Sequence, residues 1–401
     1  MRAPLAPIAL RPGGPSLRER AVRRSSLLRR LDLVLVLAVA ALLVLGALLV
    51  WSATRQRMLN AGLDPQAFLK KHAVNTAIGI VLATATAMFD YRSLRAYAPF
   101  VYGLSCLGLV VVLSPLGATI NGAHSWILLP AGFQVQPSEF AKVALVVGMA
   151  MVLAEKRDGE DEPRDSDVLL VLALAAVPMA LIMLQPDLGT TLVVVFVILG
   201  VLAVAGAPAR WIGGLLLAGV LVSAGAVQLH VLDEYQVDRF AAFTDPALDP
   251  RGAGYNTSQA RIAIGSGGLL GKGLFHGTQT SGRFIPEQQT DFVFTVAGEE
   301  LGLAGAGAVI GLLGVVLWRG LGIAARATDD FGRLVAAGVV CWFAFQSFVN
   351  IGMTLGIMPV TGLPLPFVSY GGSAMFANLL AVGLLLNVHL RSADARRGLG
   401  D

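Results

Sequence analysis

The chain has 401 residues, of which 55% are apolar and only 14% are charged. About a quarter of the residues are charged in a soluble chain, so this composition excludes an ordinary water-soluble enzyme. The apolar runs reach about 20 residues without alternation, which favours membrane-spanning helices over a closed barrel. We therefore predict an all-α, polytopic membrane protein.

The first 30 residues carry eight arginines and a single acidic residue, Glu19. A basic segment can bind nucleic acid, but this one directly precedes the first apolar run, which is typical of a cytoplasmic tail beside anionic lipid. The first run, 31–51, is too long for a signal peptide and should remain as a span. We expect a cytoplasmic N terminus and no nucleic-acid partner.

Ten apolar runs predict about ten transmembrane helices. From a cytoplasmic tail, alternation places most later arginines and the C terminus on the cytoplasmic side of a bacterial inner membrane. The predicted organisation is a basic tail (1–30), helices 1–7 (31–230), a large extracytoplasmic loop (231–291), helices 8–10 (292–390) and a cytoplasmic tail (391–401). The runs lie at 31–51, 73–89, 97–116, 139–154, 168–184, 188–206, 212–230, 292–318, 334–349 and 373–390.

Four basic residues contradict this alternation, because Arg55, Arg57, Lys70 and Lys71 fall on the outer side. Long basic side chains can bury their aliphatic stems and reach the lipid head groups with their charges. We interpret the four residues in that way.

Two charged motifs lie within or beside apolar runs, where each charge at a helix centre costs about 2.5–3.5 kcal/mol. Glu139 and Lys142 lie three residues apart in QPSEFAK (136–142), either as a structural ion pair at a helix start or as substrate ligands. Asp187 lies in QPDLGT (185–190), either as an N-cap or facing substrate. The residues alone leave both choices open.

Outer segments at 117–138, 231–291 and 350–372 are long, and such loops are usually functional or disordered. The second has basic residues at Arg239 and Arg261, and its glycine-rich run ends near Lys272. That run lacks the Walker spacing, but its N–H groups and Lys272 could hold a lipid pyrophosphate, or the run could be a flexible loop.

Glu287 and Asp291 end the second outer segment, in the sequence IPEQQTDF (285–292). From pattern alone, Asp291 could simply cap the eighth span. The five histidines have no metal-ligand spacing, and Cys106 and Cys341 lie inside apolar runs, where we expect packing rather than a disulfide. No metal site is predicted.

Six motifs in one order resemble the SEDS family (shape, elongation, division and sporulation proteins). The glycine-rich motif and the last motif resemble the RodA-type branch more than the FtsW-type division polymerases. The motifs are the loop 121–126 ending in Trp126, QPSEFAK (136–142), QPDLGT (185–190), SQARIAIGSGGLLGKGLFHGTQT (258–280), IPEQQTDFVFTVAGEELG (285–302) and NIGMTLGIMPVTGLPLPFVSYGGS (350–373).

The resemblance implies a peptidoglycan glycosyltransferase that polymerises lipid II during cell elongation and works with a class B penicillin-binding protein. It places the catalytic aspartate of the family's TDF motif on Asp291, as general base. A requirement for a divalent cation, Mg²⁺ or Mn²⁺, stays open. The expected substrate-binding residues are Trp126, Glu139, Lys142, Asp187, Arg239, Arg261, Lys272, Glu287 and Ser369.

One departure from the family concerns the residue before Trp126, which is often basic, whereas here the preceding pair is His124-Ser125. We expect His124 or Lys142 to supply that positive charge. Two other functions stay open: a flippase that moves lipid II across the membrane, and a noncatalytic scaffold for the penicillin-binding protein. The clustering of charges on one face and the lack of an inverted repeat favour the enzyme over the flippase.

Overall fold

The computed structural model describes residues 31–120, 123–130, 133–155, 162–228, 249 and 252–398. Within these ranges, a helix occurs at every predicted span, and seven helices are long and apolar enough to cross a membrane. The prediction of an all-α polytopic membrane protein is confirmed. The helices are α1 Leu33–Asn60, α2 Ala67–Met88, α3 Tyr91–Leu113, α4 Pro137–Leu153, α5 Asp165–Met183, α6 Leu188–Ala205, α7 Ala209–Gln228, α8 Ala253–Ser266, α9 Thr278–Gly282, α10 Val293–Glu300, α11 Gly302–Ala325, α12 Asp330–Leu355 and α13 Gly372–Gly398.

Helix α4 lies at the centre of the bundle and packs against α3, α5, α6, α12 and α13. It starts at Pro137, whose fixed φ suits the first helical turn, and almost every later residue is buried. Large apolar side chains such as Leu217 and Trp318 are instead exposed, at 60% and 64%. Apolar surface outside and polar residues inside is the arrangement that lipid requires.

The outer segment 117–138 contains a small antiparallel sheet that the all-α prediction did not include. Its strands are β1 Gly117–Ile120, β2 Ala123–Leu128 and β3 Gln134–Val135, in the order β1-β2-β3. Trp126 on β2 pairs with Ala118 on β1. The strands are too short and too polar on one face to show as an apolar run.

The predicted eighth span, 292–318, is wrong at its start. Val293–Glu300 form the separate helix α10, which is entirely buried, and the long helix α11 begins only at Gly302. Gly302 has φ +66°, and a Cβ there would lie 2.3 Å from the backbone nitrogen of Gly271. The chain breaks at this glycine because a left-handed residue cannot continue the helix.

Ion pairs join the helix ends on the side predicted to be cytoplasmic. Arg319 Nη2 lies 2.6 Å from Asp32 Oδ2, and Asp32 also caps α1 through the N–H of Leu35. At the opposite end of the bundle, the sheet, the start of α2, the start of α6 and the segments 287–291 and 361–374 surround a cavity.

Candidate active site

The cavity has a volume of about 690 Å³ and is lined by both charged and apolar side chains. Four of the predicted site residues line it together: Trp126, Asp187, Glu287 and Asp291. They come from the sheet, the start of α6 and the segment before α10, which are far apart in sequence. The fold therefore brings together residues that the sequence placed only in separate motifs.

Asp291 is half-buried at the cavity wall, just before α10. Its N–H donates to the carbonyl of Glu287 (3.0 Å), and its own carbonyl accepts from Asn350 Nδ2 (2.8 Å). The N-cap position of α10 belongs to Phe292, so Asp291 does not occupy the capping position that the pattern alone suggested. Its Oδ2 lies 3.5 Å from the position that a Cβ would take on Gly362, which has φ +76°.

Asp187 is the N-cap of α6 and also lines the cavity. Its Oδ1 accepts from the N–H of Thr190 at 2.9 Å, and this caps α6. Its Oδ2 accepts from the Thr190 hydroxyl (2.7 Å) and from Gln136 Nε2 (3.2 Å). The same carboxylate faces the cavity, so a helix cap and a substrate-facing role are compatible in this residue.

Arg57, Lys70 and Lys71 supply the positive charge of the cavity. Our interpretation of these residues as lipid head-group contacts did not include a role in the site. Lys70 Nζ lies 2.6 Å from Asp64 Oδ2 in the exposed loop after α1, and this hydrogen bond holds the pKa of Asp64 below its ordinary value. Their position in the sequence indicated such a role, because these basic residues fall on the outer side of the membrane, where Lys and Arg are usually rare and where the site motifs lie.

Glu139 and Lys142 form a buried ion pair inside the bundle and do not line the cavity. Lys142 Nζ lies 2.8 Å from Glu139 Oε1 and 2.9 Å from Gln346 Oε1, and 4.6 Å from the Trp342 ring centroid. Lys142 is thus engaged inside the bundle and does not reach the cavity, whereas a role for His124 in place of the family's basic residue stays a prediction. His124 Nδ1 lies 2.9 Å from the Thr119 hydroxyl within the sheet.

The glycine-rich run around Lys272 binds two carboxylates of the protein itself. Lys272 Nζ lies 2.9 Å from Glu299 Oε1, and the N–H groups of Gln279 and Thr280 donate to the same carboxylate at 2.8 and 2.9 Å. Glu300 accepts from the N–H groups of residues 275 and 277 and from the hydroxyl of residue 52. These donors are engaged, and Lys272 lies outside the cavity, so the run is a folded support for α10 rather than a pyrophosphate cradle.

Three predicted residues remain. Arg261 is exposed on α8, with its Cδ 3.3 Å from the position of a Cβ on Gly356. Ser369 is buried, and its Oγ accepts from the N–H of Leu365 at 2.8 Å, which closes a turn. Neither lines the cavity, and Arg239 lies outside the described residues.

Comparison with known proteins places the chain in a family. A family model named for FtsW, RodA and SpoVE, described as "Cell cycle protein", matches residues 33–394. The chain is 39% identical over 361 residues to peptidoglycan glycosyltransferase MrdB of Escherichia coli K12, covering 90% of this chain and 93% of that protein. It is 37% identical over 368 residues to a probable peptidoglycan glycosyltransferase FtsW of Trichlorobacter lovleyi, covering 92% and 95%.

Two solved structures have the same fold. One, from work titled "Structural coordination of polymerization and crosslinking by a peptidoglycan synthase complex", aligns with a TM-score of 0.74 and 34% identity over 90% of this chain and 98% of that chain. The rod shape determining protein RodA of Thermus thermophilus aligns with a TM-score of 0.65 and 33% identity, covering 90% and 96%. The chain therefore belongs to the FtsW, RodA and SpoVE family, that is the SEDS family, and is a membrane-embedded glycosyltransferase.

Proposed function

We propose that this protein polymerises lipid II into peptidoglycan strands during cell elongation, with Asp291 as the general base. The observation that carries the proposal is that Asp291 and the cations Arg57, Lys70 and Lys71 line one cavity. A carboxylate and a group of cations are the two elements that transfer of a sugar from a pyrophosphate requires.

The reaction is a single inverting displacement. The 4-hydroxyl of one lipid II sugar attacks the anomeric carbon of another, the new β-glycosidic bond forms, and the α bond to the pyrophosphate breaks. Asp291 takes the hydroxyl proton, and the lipid pyrophosphate leaves with the bonding electrons. Because that leaving group is stable as an anion, no general acid is needed, and the base contributes about 10²- to 10⁴-fold in rate.

The cations of the cavity bind the pyrophosphate, where negative charge develops in the transition state. Lys70 and Lys71 are adjacent at the start of α2, and Arg57 lies near the end of α1. Within the described ranges no three His, Cys, Asp or Glu side chains are placed to hold a metal ion. Mg²⁺ is often held by one or two carboxylates together with substrate phosphates, and Asp187, Glu287 and Asp291 are the carboxylates that line this cavity.

Overall identity does not separate elongation from division, because the relatives named MrdB and FtsW are 39% and 37% identical to this chain. The assignment to elongation therefore depends on the RodA-like motifs at 258–280 and 350–373. Depletion of the protein in its own cells separates the two roles. Loss of rod shape supports an elongation polymerase, whereas filaments of normal width without septa would assign the chain to division.

We further propose a class B penicillin-binding protein as partner, supported by the similarity to a chain from a peptidoglycan synthase complex. A strand made at one end of the bundle must reach a crosslinking site on the same face, which favours a fixed contact through the partner's membrane helix. Co-purification with and without that helix tests the contact, and unchanged binding after its deletion would contradict it.

Purified protein in liposomes, supplied with lipid II, tests the activity itself. A ladder of glycan polymers on a denaturing gel supports the polymerase. Movement of lipid II between leaflets without polymer would support the flippase. If neither polymer nor movement is seen, the result would support the scaffold.

A further inference from the structure

A buried asparagine connects the two segments that face each other across the candidate base. Asn350 on α12 is fully buried (0% exposed). Its Nδ2 donates to the carbonyl of Asp291 at 2.8 Å and to the carbonyl of Leu363 at 2.7 Å. One side-chain amide therefore ties the backbone of Asp291 to the segment 361–371.

The segment 361–371 depends on such donors because its own backbone cannot form a regular ladder. Proline has no N–H, and Pro364 and Pro366 both lie in it. One helical turn before Asn350, Gln346 Nε2 donates to the carbonyl of Pro364 at 2.8 Å. Consecutive carbonyls of the segment are thus held by two amides four residues apart on α12.

Gln346 is itself held on its other side, since its Oε1 accepts from Trp342 Nε1 at 2.6 Å and from Lys142 Nζ at 2.9 Å. The amides therefore project from a rigid helix face. Next to the two carbonyls that the amides hold, Gly362 lies beside the Asp291 carboxylate. The backbone of Asp291 is therefore held relative to α12 through Asn350 and not by α10 alone.

Building on the proposed function, we propose that Asn350 is a positioning residue for Asp291 and fixes the carboxylate at the distance required for proton transfer. A general base must lie within about 2.6–3.2 Å of the proton donor. A displacement of about 1 Å can cost about 10²-fold in rate. Without Asn350, the carbonyls of Asp291 and Leu363 lose this donor and the bridge between the two segments is broken.

The structure offers a matched control for the purely structural effect of this change. Asn387 on α13 is 1% exposed, and its Nδ2 also donates to two backbone carbonyls, those of Thr86 (2.6 Å) and Phe89. That bridge lies at the opposite end of the bundle from the cavity. Asn350→Ala and Asn387→Ala thus remove the same chemistry at two places.

The test measures melting temperature in detergent, together with kcat and KM for lipid II, for both variants. Asn350→Ala should lower kcat about 10²-fold and leave KM within about threefold of the native value. Asn387→Ala should lower the melting temperature by a similar amount but keep kcat within about threefold. Asn350→Asp, which replaces the donor amide by an acceptor of the same shape, should resemble Asn350→Ala. Equal loss of kcat in both alanine variants, or normal kcat in Asn350→Ala, overturns the inference.

A double variant separates this inference from the proposed function. In Asp291→Asn, residual polymerisation is followed over long incubations with labelled lipid II, and adding Asn350→Ala should slow it less than about twofold, because a positioning residue acts only through the group it positions. A full further 10²-fold loss would overturn the positioning role. Failure of the proposed function has a different signature, namely no polymer from the native protein or normal polymerisation by Asp291→Asn.

Discussion

Replacing Asp291 by Asn is the most direct test of the proposed chemistry, because the structure predicts a large effect on rate and a small effect on folding. Two hydrogen bonds of this residue, to Glu287 and from Asn350, involve its main chain. They survive the substitution. We expect the free energy of unfolding to change by about 1 kcal/mol or less, the net value of a typical hydrogen bond.

The rate should fall by about 10²- to 10⁴-fold, the range for loss of a general base, which corresponds to about 2.7–5.5 kcal/mol in activation free energy. The assay is the initial rate of lipid II polymerisation by purified protein, with melting temperature measured on the same preparation. Asp187→Asn is the control, since it removes the same charge from the same cavity and leaves an oxygen to accept the N–H of Thr190. Its rate should stay within about tenfold of the native rate.

A rate for Asp291→Asn within about threefold of the native rate would refute the base assignment. So would equal losses in the two variants, which would mean that the charge of the cavity matters and the position of the carboxylate does not. Recovery of the Asp291→Asn rate in excess Mg²⁺ or Mn²⁺ would instead identify the carboxylate as a metal ligand.

Three further predictions follow from the surroundings of the cavity. Lys71→Gln should lower kcat/KM about tenfold, which corresponds to about 1.4 kcal/mol in activation free energy. Arg55→Gln is the control and should change kcat/KM little, because the Arg55 guanidinium lies over the Phe275 ring (5.1 Å). Equal effects of the two substitutions would contradict the assignment of Lys71 as a cation of the cavity. Glu299→Gln should lower the melting temperature by several degrees and speed proteolysis of 267–282, because an amide cannot accept from all four of the closest donors at that carboxylate. An unchanged melting curve would show that Glu299 does not stabilise this segment. In intact cells, an impermeant thiol reagent should label Gly252→Cys and spare Gly159→Cys in a protein without its native cysteines, and equal labelling would refute the topology.

The fold was predictable because lipid leaves the chain few choices. Each span must satisfy its own backbone hydrogen bonds, so apolar runs locate helices with little further information. Hydropathy failed at Val293–Glu300, because its apolar first residues merge with the long apolar helix that follows into one run. The break there depends on the left-handed conformation of Gly302 and its close approach to Gly271, and neither feature appears in an average over a window.

The site was predictable only in part. Motif resemblance identified Trp126, Asp187, Glu287 and Asp291, and the fold brings these four to one cavity. The cations could not be assigned from the sequence, because a basic residue in a motif does not show whether a carboxylate neutralises it. Lys272 has its partner 27 residues away, at Glu299, a contact that only the folded chain forms.

The energy of the existing ion pairs decides which cation can receive a substrate. Lys142 and Glu139 are buried, with side chains 0% and 2% exposed, and separating such a pair costs about 3–5 kcal/mol because an uncompensated charge remains in the interior. A pyrophosphate that recruited Lys142 would have to offset that cost before gaining any affinity. Lys70 is different, because its side chain is 64% exposed and its partner Asp64 lies in water, where an ion pair contributes little. Exchanging Asp64 for a phosphate would therefore cost Lys70 little, and Lys70 lines the same cavity as Asp291. Among the basic residues that violate the charge rule of the membrane, Lys70 thus combines a place at the cavity with an ion pair that costs little to replace.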